Sequence, residues 1–185
     1  FDAHRLGVVT ADIKDVEPIF RNADLVSMDI SSIKSAELGS YNKENPNGFD
    51  GREICAISRY AGISNKVSSF SLFEITDFTN SRSGAMLLAQ VLWYFIEGVN
   101  FRVSDDDFMN LKHYTTYKVP IDDEVLIFKK SNKTGRWWIE LPFISNIDNK
   151  LKSSTLLPCT YGEYLGATNQ ELPERWLKAR RKNEV

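Results

Sequence analysis

Two carboxylates stand where this sequence has a basis for chemistry. Asp29 lies one residue from the end of the apolar run Asp24 to Ile30, and Glu74 lies one residue from the end of Lys66 to Ile75. Both runs read as strands. Each carboxylate therefore falls at or near a strand's carboxyl end, where open α/β sheets gather their ligands. A carboxylate placed there can hold a metal ion or a planar cation such as guanidinium. The polar stretch Ser31 to Asp50 completes the candidate site. It contains Asn45-Pro46-Asn47-Gly48, a strong turn signal.

The other reactive side chains stand apart. His113 sits beside Tyr114 and makes no metal site alone, so it reads as surface or interface packing. Cys55 falls on a helix and reads as core. Cys159 follows Pro158 without a nearby base, which gives no reason to name it a nucleophile. No Ser-His-Asp order and no phosphate-cradling glycine loop is present. Trp137-Trp138, with Arg136, Tyr114 and Tyr117, could stack on bases or sugars. Adjacent tryptophans on a strand more often send one ring to the core and the other to a neighbouring element. The basic run Arg175 to Lys182 reads as the solvated cationic end of a helix.

The elements that must position these groups follow from pattern. Asp12 or Asp15 starts a short helix through Phe20, with Pro18 in its first turn. The unbroken apolar character of Asp24 to Ile30 predicts a strand buried on both faces. Asp50 and Glu53 form a capping box. The helix it opens sets Ile54, Ile57 and Tyr60–Ala61 on one face. Ser81 starts a long helix ending near Gly98. That helix is apolar nearly all round, which predicts an interior position. Strand, helix, strand, helix in this order predicts parallel strands with right-handed crossovers.

Residues 100–185 change character. Ser104 to Asp107 reads as an acidic helix start or a linker. Residues 114–119, 124–129 and 136–141 read as three strands, with Asn132 to Gly135 turning between the last two. Their short connections require antiparallel pairing. Glu163 to Leu165 begins a short helix, and Glu171 to Lys182 is another with Pro173 in its first turn. The sheet is expected to pack on residues 1–99, with Trp137 or Trp138 as the anchor.

Composition narrows the classes. The chain has 185 residues, 42% of them hydrophobic and 26% charged, with a net charge of -2. This is globular composition and not a disordered one. The charge gives no broad grip on nucleic acid, so no nucleic-acid partner is expected. Two cysteines make no disulfide framework, and a reducing, cytoplasmic setting is expected. The longest apolar stretch, Ala85 to Ile96, is interrupted by Gln90 and falls short of the ~20 residues of a membrane span, so no membrane partner is expected. The chain opens on Phe1 without a visible leader, which reads either as removal of something upstream or as a piece of a larger protein.

Ser27-Met28-Asp29-Ile30-Ser31 resembles the Ser-x-Asp-x-Asp metal motif of the ureohydrolase family, which holds the arginases, agmatinases and formimidoylglutamases. Gly48-Phe49-Asp50-Gly51-Arg52-Glu53 is similar to the Gly-x-x-x-Arg-Glu pattern that opens the family's next helix. Ser69 to Ile75 is similar to its last core strand, which ends in a functional glutamate. The long helix from Ser81 fits the helix that closes the family fold. The resemblance covers about residues 1–99. It implies the C-terminal portion of an arginase-like α/β domain, part of a three-layer α/β/α parallel sheet. Residues 100–185 have no counterpart in a typical arginase and form an α+β extension containing the small antiparallel sheet.

The chemistry implied by the resemblance is hydrolysis of linear amidine C–N bonds, in guanidino or formimino substrates, by a hydroxide bridging two manganese ions. Asp29 matches the first aspartate of the metal motif, and Ser31 stands where the second should be. Glu74 matches the family residue that contacts the substrate. The remaining ligands belong to a Gly-Gly-Asp-His and an Asp-Ala-His-x-Asp segment, which this chain lacks. Asp2-Ala3-His4 imitates the latter, but Leu6 takes its last ligand position and only 25 residues separate His4 from Asp29. Arg5-Leu6-Gly7 fits instead the lead-in to the helix before the metal strand. Two manganese ions are therefore expected only if an intact parent keeps the upstream ligands. The chain is expected to be inactive alone, and to pair with a missing N-terminal half or with itself. The alternative is a metal-free arginase-fold paralogue acting as a structural or protein-interaction module.

Overall fold

A computed structural model describes residues 2–39, 45–75, 82–105, 110–141 and 156–183. The chain divides into two compact units, Phe1–Val103 and Ser104–Val185.

The first unit opens with a short exposed helix, α1 (Leu6–Ala11), which buries no residue. Its Gly-Val-Val core is poor helix-forming sequence, and its first turn has no side-chain cap, so pattern gives no sign of it. Asp12 accepts from the Lys14 N–H at 3.0 Å and starts a 3₁₀ turn, Ile13–Val16. This turn runs into α2 (Glu17–Phe20), with Pro18 in its first turn. Strand β1 (Leu25–Asp29) then leads through a 3₁₀ turn, Ile30–Ser32, to the single turn α3 (Ser35–Leu38).

The capping box forms as its spacing requires. Asp50 accepts from the Glu53 N–H at 2.8 Å, and Glu53 accepts from the Asp50 N–H at 2.9 Å. It opens α4 (Gly51–Ile63). Strand β2 (Ser69–Phe73) follows, then α5 (Arg82–Asn100), with residue 81 outside the described residues. β1 and β2 pair in parallel, in register from Leu25↔Ser69 to Asp29↔Phe73. Met28, Ile30, Ile33, Leu38, Ile54, Cys55, Ile57, Leu87, Leu88 and Val91 form the core of this unit. Phe70 and Leu72 pack against it, and Phe70 stacks on Phe95 at 4.4 Å.

Two sequence-based expectations are corrected here. β1 is not buried on both faces. Met28 points into the core, while Leu25 is 67% exposed and Phe73, on β2, is 53% exposed. The core of this unit lies on one face of the strand pair, so β1 alternates as a half-covered strand does. Likewise α5 is not wholly interior. Leu87, Leu88 and Val91 are buried, whereas Met86, Leu92, Trp93 and Ile96 are exposed. A helix that is apolar all round still buries only the stripe that meets a neighbour.

The second unit is a four-stranded antiparallel sheet in the order β3 (Tyr114–Ile121), β4 (Glu124–Ser131), β5 (Trp137–Glu140), β6 (Leu156–Cys159). The three expected strands are present. β6 is an addition, masked in the sequence by Pro158, which argues against a central strand. As an edge strand it tolerates the missing N–H donor. Helix α6 (Tyr161–Thr168) is longer than residues 163–165 suggest, because Thr160 and Glu163 form a second capping box. Helix α7 (Glu174–Asn183) begins after Pro173. Val119, Ile121, Leu126, Phe128, Trp137, Ile139, Cys159, Ala167 and Trp176 form this unit's core. Ser104 and Asp105 are not helical, and the rest of that acidic stretch lies outside the described residues.

Candidate functional site

The β1–β2 register brings the two nominated carboxylates to one end of adjacent strands. Asp29 pairs with Phe73, and Glu74 follows Phe73 directly. Both residues are exposed. Glu74 has φ 58°, in the left-handed region. A non-glycine residue pays roughly 1–2 kcal/mol to sit there, so the chain leaves β2 through a strained position.

Asp29 has a local structural task. Its Oδ1 accepts from the Ser31 N–H at 2.8 Å, while Ser32 Oγ donates to the Asp29 carbonyl at 2.6 Å. The carboxylate thus caps the turn at Ile30–Ser32, as aspartates at strand ends commonly do. The loop behind it is tied down. Phe49 N–H donates to Ser32 O at 2.8 Å and Lys34 N–H to Phe49 O at 3.0 Å. Gly48 sits so close that a Cβ there would stand 2.5 Å from Ser32 O. Asn45 Nδ2 donates to Ser31 O, and Asn45 N–H donates to Ser35 Oγ at 2.7 Å. Residues 40–44 of this loop lie outside the described residues.

The donor set present here does not fit a binuclear manganese centre. It offers the Asp29 carboxylate, one oxygen of which already holds a backbone N–H, and the neutral Ser31 hydroxyl. Among the described residues, no three His, Cys, Asp or Glu gather in a metal-holding group.

The remaining candidates disperse. His4 is exposed near the start of the first unit. His113 ends a 3₁₀ turn in the second, with its Nε2 3.3 Å from Asn110 Nδ2. Cys55 and Cys159 are buried free thiols. Burial pushes the Cys55 thiol above its ordinary value, the opposite of what a nucleophile needs. The tryptophan pair splits between the two sheet faces, and both rings are buried. Trp137 stacks on Tyr164 at 4.6 Å and lies 5.2 Å from Tyr117 and 5.4 Å from Tyr161. Trp138 meets Tyr114 edge-on at 5.8 Å. Neither presents an open ring for a base or a sugar. The basic run on α7 is engaged in ion pairs: Arg175 with Glu163, Lys178 with Glu174, and Arg180 with Glu124.

Pattern reading missed Asp105. Its buried carboxylate accepts from Ser131 Oγ at 2.7 Å and from Thr134 Oγ1, with Arg136 Nη1 at 3.7 Å. Tyr114 donates its hydroxyl to the Asp105 carbonyl. The signal is absent from the local sequence because the carboxylate's partners lie 26 to 31 residues away. The knot holds the β4–β5 turn.

Among the described residues, no helix is long and apolar enough to cross a membrane. No protein-family model matches this chain, and no curated protein sequence matches it. Among solved structures, the oxidized formiminoglutamase of Trypanosoma cruzi at pH 4.6 is similar, with a TM-score of 0.40 and 18% identity. The likeness covers 43% of this chain and 27% of that one. It is remote, and it spans about a quarter of the neighbour's length.

Proposed function

We propose that the first unit carries part of a ureohydrolase-like site, in which Glu74 receives the planar cation of a guanidino or formimino compound. The observation that supports this is the strand register, which pairs Phe73 with Asp29 and so brings Glu74, the residue after Phe73, to the same end of the strand pair as Asp29. A carboxylate suits a planar, multiply donating cation because two N–H groups can bond its two oxygens. In this reading Asp29 is a residual metal ligand. Two manganese ions would require ligands from outside this chain, whether from an N-terminal half or another polypeptide. The chain alone does not hydrolyse amidines.

A second reading has its own support. Asp29 already caps the turn that follows it, and Ser31 is neutral. Both features suit an arginase-fold paralogue without metal that acts as a structural or interaction module.

Calorimetric titration of the full chain with agmatine, without metal, separates the two. The first reading expects weak binding, of millimolar order, that Glu74→Gln abolishes and Asp29→Asn leaves nearly intact. Absence of binding to the native chain favours the second. Elemental analysis is the companion measurement. Substoichiometric manganese is expected, and Ser31→Asp should not change that. Close to two manganese ions per chain would overturn both readings.

A further inference from the structure

We propose that the outer face of α5 is a self-association surface, on which two copies of this chain pair antiparallel about a two-fold axis. Met86, Ala89, Trp93 and Ile96 recur at spacings of three, four and three residues, which is the seam of two-helix packing. Met86 is 54% exposed, Leu92 45%, Trp93 58% and Ile96 58%, and Ala85 and Ala89 are exposed with them. No charged residue interrupts the helix between Arg82 and Glu97. The opposite stripe is already used, since Leu87, Leu88 and Val91 are in the core.

Self-complementarity points to a second copy as the occupant. Antiparallel pairing centred at the level of Val91 sets Ala89 opposite the partner's Trp93 and Met86 opposite the partner's Ile96. A small residue then receives a large one, twice, as an isologous contact requires. Charge agrees with this orientation. Arg82 of one copy approaches the turn carrying Glu97 in the other. A parallel pair would set Arg82 on Arg82 and Glu97 on Glu97. Glu97 is held by Arg59 at 2.6 Å, yet its side chain stays 29% exposed and can accept again. A lipid surface fits poorly, because α5 carries no basic flank beyond Arg82.

The size of the face sets the strength. Four half-exposed large side chains offer apolar area on the order of 400 Å², the size of the largest patches on monomers. Two such faces only approach the roughly 1,000 Å² of a stable interface. The pairing is therefore weak and concentration-dependent.

Sedimentation velocity of the full chain, from low micromolar to submillimolar concentration, tests this. A monomer–dimer equilibrium is expected. Trp93→Glu and Ala89→Trp should each weaken it at least about tenfold, with circular dichroism and melting unchanged. Both positions are exposed in the single chain, so folding is not at stake. Orientation is read by cysteine cross-linking. Leu92→Cys, near the axis, should cross-link between copies under mild oxidation, whereas Ser83→Cys, at one end, should not. A strict monomer overturns the proposal, whether Trp93 proves open to quenchers or covered by the second unit. So does association that Trp93→Glu leaves intact, or cross-linking of Ser83→Cys as fast as Leu92→Cys. Binding to anionic vesicles without self-association overturns it as well.

Discussion

Gly62 and Gly98 meet backbone to backbone where α4 crosses α5. A Cβ on Gly62 would stand 2.2 Å from the Phe95 carbonyl oxygen and 3.1 Å from the Gly98 Cα. One on Gly98 would stand 2.5 Å from the Arg59 carbonyl oxygen and 3.0 Å from the Gly62 Cα. The close approach also lets the buried Ser58 hydroxyl donate to the Val91 carbonyl at 2.7 Å. Neither glycine adopts a left-handed backbone. They serve here by having no side chain.

The obstructing atoms are backbone, so no side chain can swing aside. Gly62→Ala and Gly98→Ala should each destabilise the chain by about 2–3 kcal/mol in denaturant unfolding. The double substitution should cost less than the sum, because the first already forces the helices apart. Losses under 0.5 kcal/mol would mean that the crossing yields easily.

What was legible in the sequence was what neighbours in sequence decide. The capping box at Asp50 and Glu53 is closed by residues three apart, and it forms as expected. The parallel pairing of the two strands follows from element order, and it too is present. Errors came where distant groups decide. The half-open face of β1 depends on where the helices gather, which no run of apolar residues reveals. β6 escaped notice because its edge position, not its composition, makes Pro158 acceptable. At the candidate site the positions of Asp29 and Glu74 were legible from strand ends. The Asx turn that occupies Asp29 is closed by the Ser31 N–H two residues on, a local bond that an aspartate at a strand end favours, whereas the left-handed Glu74 leaves no trace in residue type.

Glu74→Gly offers a test of that strained backbone. Glycine adopts φ 58° without a Cβ penalty. Its greater unfolded-state entropy offsets part of the gain. The substitution should leave stability unchanged or raise it by up to about 1 kcal/mol, read from the thermal midpoint. A clear loss would show that the Glu74 side chain contributes contacts outweighing the strain.

Asp105 should behave oppositely. Removing its carboxylate leaves the Ser131 and Thr134 hydroxyls without their acceptor and Arg136 without its ion-pair partner. Asp105→Ala should cost about 2–4 kcal/mol. Asp105→Asn keeps the acceptor oxygen and should cost less than half as much. Amide exchange at Lys133 and Thr134, whose N–H groups donate to Ser131 Oγ, should quicken in the alanine variant. Equal costs for the two variants would refute the account.

Alkaline pH should weaken the first unit. Burial raises the Cys55 thiol above its ordinary 9.0. Burial, then Glu17 and Asp12, raises the Tyr60 hydroxyl above its ordinary 10.0, against a smaller lowering by Arg59. In both cases the folded chain keeps the proton that the unfolded chain loses. Their contribution is therefore constant below about pH 9 and falls as pH rises through the folded values. Cys55→Ala should remove the earlier part of that fall and leave the part due to Tyr60. A stability flat up to pH 11 would contradict this.

The last prediction concerns the two units. A two-stranded parallel sheet with its core on one side is marginal by itself. We expect the whole chain to unfold in one cooperative transition, and residues 1–103 alone to melt lower and lose solubility. The cut must fall after Val103, not after Gly98. Arg102 donates from Nε to the Gly62 carbonyl at 2.7 Å and from Nη2 to the Val67 carbonyl at 2.9 Å, and Asn65 Nδ2 donates to the Val103 carbonyl at 2.8 Å. A cut at Gly98 would delete these bonds and destabilise the remainder for a reason unrelated to the second unit. The comparison belongs at low micromolar concentration, because residues 1–103 retain the outer face of α5. Trp137 is buried in the second unit's own core, so its fluorescence reports that unit's unfolding in the whole chain. A lower midpoint for residues 1–103 assigns residues 104–185 a structural role in the chain's stability. An unchanged midpoint and solubility would make the second unit an independent module.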